Sequence, residues 1–365
     1  MAGDVMLTFN PGSSSIKLGL FVIDAGAARA LARRTVDATP DALSGVIAKA
    51  LEWVSDAAPG ARLAAAGHRV VHGGDDFNRP VAITQDTLNA IEALAPLAPL
   101  HQLQSLRLIH ALRHAAPALP QSASFDTAFH RSQSVASRRY ALPRALFDQG
   151  IKRYGFHGLS YKFIASQLRQ KHPGIAAGRV VVAHLGSGAS LCGLLHGVSR
   201  ETSMGFSTLD GIPMATRSGA LDPGALLYLL KQPGRSIDMV EDMLYHRSGL
   251  LGLSGVSGDV RELLASDAPE AREALALYAL RIAREVAAIA TTLGGLDALV
   301  FTAGIGENQP VVRDAVCRHL AWLGVAPDPA ASQVAVFVMH TDEEQVIADE
   351  ACQALCLSQI TGARP

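Results

Sequence analysis

Val5-Met6-Leu7-Thr8-Phe9-Asn10-Pro11-Gly12-Ser13-Ser14-Ser15-Ile16-Lys17 joins two apolar runs through a sharp polar turn. Val5–Phe9 is β-prone, Asn10-Pro11-Gly12 is a turn signal, and apolar character resumes over Ile16–Ile23. The segment reads as strand, tight turn, strand. A second unit of this kind lies mid-chain. Arg179–His184 carries Val180, Val181 and Val182, breaks at Gly186-Ser187-Gly188, and returns as a strand at Ala189–Leu195. Two such units suggest a duplicated domain with a phosphate-binding hairpin in each half. The alternative is two chance hairpins in a chain of 33 glycines.

Other strands expected from the pattern are Ala65–Val71, Ser122–Phe125, Ala298–Phe301 and Gln333–Met339. Helices are expected over Leu88–Ala95, Gln102–His114, Tyr161–Gln170, Ala225–Leu230, Glu270–Leu293 and a terminal stretch near Asp342–Leu357. Strands repeatedly end in Gly, Asp, Asn or His, the α/β pattern in which ligands sit at strand carboxyl ends. At 365 residues the chain has room for about two domains. Hydrophobic residues are 49% and charged residues 18%, with a net charge of −1. That supplies a core and argues against nucleic-acid or membrane-surface binding, which needs a basic stripe. Met1–Asn10 does not read as a signal peptide, no apolar stretch is long enough to span a bilayer, and a cytoplasmic location is expected. Cys192, Cys317, Cys352 and Cys356 form no CxxC pair and read as reduced thiols.

Several familiar site patterns are absent: GxxxxGK[ST], HExxH and GxSxG do not occur, and Leu191 stands where a third dinucleotide-fingerprint glycine would be. What remains is a set of polar loops. Backbone amides of the Asn10–Ser15 turn make an anion concavity, to which Ser13, Ser15 and Lys17 add donors and charge; a solvated serine turn is the plain alternative. Arg69 sits beside buried-strand residues, either for an anion or for an internal ion pair. Arg217 lies in the glycine-bounded loop Thr216–Gly219. Asp126 ends a strand as an active-site group or a helix cap, and His157 lies between Gly155 and Gly158. Gly255–Arg261 and Gly304–Asn308 read as glycine loops before helices, suited to a nucleotide phosphate or base.

Together these segments resemble the acetate kinase family, which includes propionate and butyrate kinases. The resemblance rests on Asn10–Lys17, Gly67–Gly74, Ala98–His101, Phe125–His130, Tyr154–Gly158, His184–Gly188, Glu201–Phe206, Thr216–Gly219, Leu221–Pro223, Ser248–Asp259, Gly304–Asn308 and Asp342–Glu344, in family order. It implies an α/β fold of duplicated actin-, Hsp70- and sugar-kinase-like domains with an active-site cleft between them. The expected N-terminal domain is 1–149, completed by a C-terminal helix in 350–365, and the nucleotide-binding domain is 150–349. The implied reaction is reversible transfer of a phosphoryl group from ATP to a short-chain carboxylate, acetate first, giving ADP and an acyl phosphate. Mg2+, or Mn2+ in its place, and a homodimer are implied with it.

Roles carry over where residues match. Asn10 and Glu343 resemble the metal-associated positions. Ser13, Ser15 and Lys17, with His184, Leu185, Gly186, Ser187 and Gly188, resemble the two phosphate loops. Asp259, Val260, Arg261, Gly304, Ile305, Gly306, Glu307 and Asn308 resemble the adenosine side. Arg69 and Arg217 resemble the arginines on substrate and moving phosphoryl group, His157 the transition-state histidine, and Asp126 the active-site aspartate. A carboxylic acid with a pKa of about 4 is already ionised at neutral pH. Asp126 is therefore read as an orienter of Arg69 or Arg217, or a metal-shell ligand, rather than a base. Val71, Leu100 and Phe156 are the expected apolar walls for an alkyl tail, with Thr208 where the family has proline. Gln102, Tyr161, Ser187, Ala215 and Ala220 also depart from the family pattern. The competing readings are an ATP-hydrolysing or ATP-sensing protein of the same fold, and a catalytically weakened binding protein.

Overall fold

The computed structural model describes residues 3–12, 15–37, 43–328 and 330–357. The opening hairpin forms, with its first strand continuing through Asn10 and Pro11, which were expected in the turn: Asp4–Pro11 (β1) and Ser15–Asp24 (β2) pair antiparallel, with Asn10 opposite Lys17. Ala27–Asp37 (β3) extends the hairpin, and Arg62–Val70 (β4), Val81–Ala82 (β5) and Gln121–Phe125 (β6) complete a sheet of order β3-β2-β1-β4-β6-β5. β1, β4 and β6 run parallel, so their carboxyl ends share one edge.

The second sheet repeats this plan. Arg179–Leu185 (β7), Ala189–Leu195 (β8) and Val198–Thr202 (β9) form an antiparallel meander, and Ala298–Thr302 (β10) and Ala335–Val338 (β11) add parallel to β7. Its order, β9-β8-β7-β10-β11, reproduces β3-β2-β1-β4-β6 strand for strand. The duplication expected from the two hairpins thus extends to five strands.

The chain divides into two compact units: Met1–Arg131 with Gly158–Phe163 and Asp342–Pro365, and Ser132–His157 with Ile164–Thr341. The sequence reading drew its boundary at 149/150 and its closing helix in 350–365. Here residues 132–149 group with the second unit, the helix Glu343–Ala354 packs into the first, and 358–365 lie outside the described residues. In the first unit, Leu7, Phe9, Leu18 and Leu20 pack against Val46, Ile47 and Val54 of helix Leu43–Ala57 and against Leu108 and Leu112 of helix Pro99–Ala115. Met6, Phe21 and Ala65 meet Ala348, Ala351 and Cys352 of helix Glu343–Ala354. β1 is therefore buried along its whole length, as a central strand covered on both faces should be. A Cβ on Gly67 would fall 2.8 Å from Ile347 Cγ2, so the glycine in β4 admits that helix closely. In the second unit, helix Pro269–Leu293 buries Ala274, Tyr278, Ile282 and Ile289, and a Cβ on Gly193 would meet Ile289 Cγ2 at 2.4 Å.

Two features depart from the sequence pattern. β3 and helix Leu43–Ala57 were not among the expected elements. The expected loop Gly304–Asn308 is itself helical, as Ala303–Asn308. Two glycines disfavour a helix there by about 1 kcal/mol each, so tertiary contacts override local propensity. Cys192, Cys317 and Cys352 are buried, Cys356 is exposed, and all four are free. No helix among the described residues is long and apolar enough to cross a membrane.

Candidate active site

In the first unit the polar groups gather at the carboxyl ends of β1, β4 and β6. Asn10 is at the end of β1, Arg69 near the end of β4, and Asp126 immediately follows β6. Asp126 is fully buried, and the Arg69 side chain is 11% exposed. Arg69 Nη2 donates to Asp126 Oδ2 at 2.6 Å, and Nε donates to the same carboxylate at 3.1 and 3.2 Å. Its Nη1 donates to the Pro11 carbonyl at 2.7 Å and lies 3.4 Å from Asn10 Oδ1. The internal ion pair, one of the two alternatives for Arg69, is present. Of the partners considered for Asp126, Arg69 is bonded to it directly. Burial works against the Arg69 charge, but Asp126, Glu343 and Glu344 outweigh it and hold the pKa above that of a free arginine.

Helix Glu343–Ala354 brings two carboxylates to the same place. Asn10 Nδ2 donates to Glu343 Oε2 at 2.9 Å and to Glu344 Oε1 at 2.6 Å. Burial, followed by the Asn10 hydrogen bond acting in the opposite sense, leaves the Glu344 carboxyl with a raised pKa. Glu344 was not among the expected site residues, although it adjoins Glu343 in the Asp342-Glu343-Glu344 run. Lys17 faces Asn10 in the hairpin register, and Ser15 opens β2; Ser13 lies outside the described residues. Val71 is buried, and Leu100 lies in helix Pro99–Ala115. Gln102, one of the departures, is fully buried and ties the segment after β4 to helix Gln85–Ala93: Oε1 accepts from the His72 amide at 3.1 Å, and Nε2 donates to the His72 carbonyl at 3.1 Å and the Ile91 carbonyl at 3.3 Å.

In the second unit the corresponding end of β7 carries His184 and the turn Gly186-Ser187-Gly188. His157 stacks on His184 with centroids 4.3 Å apart, and its Nδ1 lies 2.8 Å from Ser190 Oγ. A methyl on Gly188 would stand 3.4 Å from His157 Nε2 and 3.8 Å from Arg217 Nη1, so both groups border the turn. Arg217 Nη1 donates to the buried Thr208 carbonyl at 3.4 Å. Ala215 N donates to Ser187 O at 3.2 Å, and a Cβ on Gly258 would meet Ala215 O at 2.8 Å, which layers these three backbones together. Phe156 is buried, and Leu185 ends β7. Asp259 caps helix Val260–Ala265, accepting from Arg261 N at 2.8 Å while pairing with the Arg261 guanidinium. Glu307 accepts from Ala303 N at 2.9 Å and lies 2.9 Å from His340 Nδ1. Gly304, Ile305, Gly306 and Asn308 share its short helix, and a Cβ on Gly186 would stand 3.8 Å from Ala303 Cβ. Ser190 was missed by sequence reasoning; its signal is its position opposite His184 in the β7–β8 register.

A β-sheet plan repeated in both units, each ending in a polar glycine hairpin, is that of the actin-, Hsp70- and sugar-kinase-like proteins. The chain belongs to the acetokinase family, whose family model matches residues 35–353. It is 45% identical to an acetate kinase of Rhodopseudomonas palustris (strain ATCC BAA-98 / CGA009), covering 94% of this chain and 97% of that one. Among solved structures, a propionate kinase from Francisella tularensis subsp. tularensis SCHU S4 is 32% identical with a TM-score of 0.86, covering 97% of this chain and all of that one. The acetate kinase of Porphyromonas gingivalis is 30% identical with a TM-score of 0.84, at the same coverage.

Proposed function

We propose that this chain catalyses reversible phosphoryl transfer between ATP and acetate, giving acetyl phosphate and ADP. The observation that carries the reading is the buried charged cluster of the first unit: Arg69, clamped by Asp126 and set beside Asn10, which in turn bonds Glu343. A guanidinium fixed in this way is an arrangement suited to a carboxylate and to the equatorial oxygens of a moving phosphoryl group. In the reaction an oxygen of the ionised acid attacks the γ-phosphorus, the bond to the β–γ bridging oxygen breaks, and its electron pair leaves on ADP. No proton need be removed, so Asp126 orients Arg69 and is not a base. His157 and Arg217 add donors for the charge that develops, and such a donor typically contributes about 3–4 kcal/mol to the transition state. Ser15, Lys17 and His184–Gly188 serve the phosphates; Asp259–Arg261 and Gly304–Asn308 serve the nucleoside.

Asn10 and Glu343, with Glu344 alongside, offer hard oxygen donors of the kind magnesium takes from proteins, usually one or two carboxylates completed by water and phosphate. No group of three His, Cys, Asp or Glu residues converges on a metal position among the described residues. When bound, the ion supplies neutralisation of phosphate charge. Phosphorylation of propionate to propionyl phosphate by the same reaction is the second reading. It is favoured by the buried Thr208 in place of the family's proline, and one methylene distinguishes such acids by only about 1–3 kcal/mol.

We assign the working form as a homodimer in the cytoplasm. Leu227, Tyr228, Ile237 and Met239 on helices Pro223–Leu230 and Ile237–His246 are 55%, 67%, 72% and 49% exposed, an apolar surface that a second copy would cover. Sedimentation tests that assignment. The activity is tested by hydroxylamine trapping with ATP, Mg2+ and acetate, propionate or butyrate in turn. Acyl hydroxamate from acetate is expected; no product from any acid would overturn the reading.

A further inference from the structure

His157 is fixed by its backbone conformation and by two side-chain contacts. Its backbone lies at φ 58°, in the left-handed region that residues with a Cβ usually avoid, where it heads helix Gly158–Lys171. Such a conformation persists where the surroundings over-determine it, which is common at functional sites. Its ring is stacked on His184, with 17° between planes. Its Nδ1 is 2.8 Å from Ser190 Oγ. His184 and Ser190 are direct partners in the antiparallel β7–β8 register, so one hairpin presents both on the same face. One partner supplies a platform for the imidazole and the other a hydrogen bond. Ser190 is fully buried, so bulk water does not compete for that bond.

This mounting leaves Nε2 facing the turn at Gly188. In a neutral imidazole one nitrogen carries the proton and the other accepts, and the partner at Nδ1 decides which. If the Ser190 hydroxyl donates, Nε2 keeps its hydrogen and is a donor; if it accepts, Nε2 is a bare lone pair. Only the first arrangement lets a neutral His157 donate to a phosphoryl oxygen. We propose that Ser190 is a positioning residue whose hydroxyl donates to His157 Nδ1 and holds the Nε2–H tautomer aimed at the Gly186–Gly188 turn. The direction assigned to this hydrogen bond rests on the phosphoryl-transfer reading above; the measurement of the tautomer does not.

The first test is nitrogen NMR of the whole chain labelled with 15N-histidine, at about pH 8 where imidazole is neutral. The His157 signals are assigned by their loss in His157→Gln. The expected spectrum shows Nε2 protonated and Nδ1 not, and a protonated Nδ1 in the wild-type chain would overturn the proposal with no variant needed. In Ser190→Ala a mixture of tautomers is expected, and kcat for acyl phosphate formation falls on the order of ten- to a hundredfold with KM for the acid and for ATP little changed. An unchanged tautomer together with wild-type turnover in that variant would also overturn it. Ser190→Thr keeps the hydroxyl and is expected to retain the wild-type tautomer. A wild-type chain that forms no acyl phosphate would sink the functional reading, while the spectrum would still decide the tautomer.

Discussion

Replacing Asp126 with asparagine separates orientation from base catalysis. The wild-type carboxylate takes three contacts from Arg69, at 2.6, 3.1 and 3.2 Å, with Asp126 fully buried and Arg69 nearly so. An asparagine in this place would keep the shape but lose the charge and turn one acceptor into a donor facing a guanidinium. Breaking a buried ion pair on one side costs about 3–5 kcal/mol. The Pro11 carbonyl still holds Nη1, and Glu343 and Glu344 still oppose the charge, so the lower end, about 3 kcal/mol, applies. If that penalty falls on transition-state positioning, kcat/KM drops roughly a hundredfold. The assay is the rate with acetate from about pH 5.5 to about pH 9, repeated over a magnesium titration. The expected result is a fall at every pH with the shape of the profile unchanged, because the acid is already ionised. Loss of one limb of the profile with unchanged metal dependence would refute the orienting role and restore a base. A variant with wild-type rates would refute the coupling of Asp126 to Arg69 altogether.

Gly188→Ala should leave stability within about 0.5 kcal/mol, because its methyl makes only ordinary contacts at 3.4 and 3.8 Å. It should nevertheless lower kcat on the order of ten- to a hundredfold by crowding His157 Nε2 and Arg217; wild-type turnover would remove both groups from the reaction. His68 is buried against Phe9 and bonded to Gln121, and desolvation brings its imidazole from 6.5 down to about 4. Between those values the unfolded chain binds a proton that the folded chain refuses, so stability present above pH 6.5 is lost as the pH falls towards 4, by about 3 kcal/mol. His68→Gln should flatten that part of the Tm-against-pH curve, and parallel curves for the two proteins would assign the effect elsewhere.

The parts of the fold legible in the chain were those whose local chemistry and tertiary role agree. The strand–turn–strand order of Val5–Ile23 and the Val180–Val182 run needed no context, and Arg69 and Asp126 announced themselves as charges bordering apolar strands. β3 was hidden for the opposite reason. Its Ala- and Arg-rich sequence, from Ala27 through Arg34, lacks the β-branched and aromatic residues of a strand, and it is extended because β2 offers it a ladder. Glu344 was obscured by its neighbour: successive helical residues normally point apart, yet at the first turn both Glu343 and Glu344 reach the Asn10 amide. Ser190 becomes visible only with strand register, which short-range patterning does not supply.

The helix that begins at Glu343 has a consequence for how the molecule is made. Asn10 and its two carboxylate partners are separated by 333 and 334 positions. On the ribosome, the first strand emerges long before the helix that covers Gly67 and supplies those carboxylates. Chains emerge at roughly 5–20 residues per second, so the N-terminal sheet waits tens of seconds with that face incomplete. Met6, Phe21 and Ala65 are among the side chains left bare in the interval. Such an interval is where a nascent chain is most open to chaperones, and a transcript cut short before Glu343 yields a protein whose last missing helix disables its first strand.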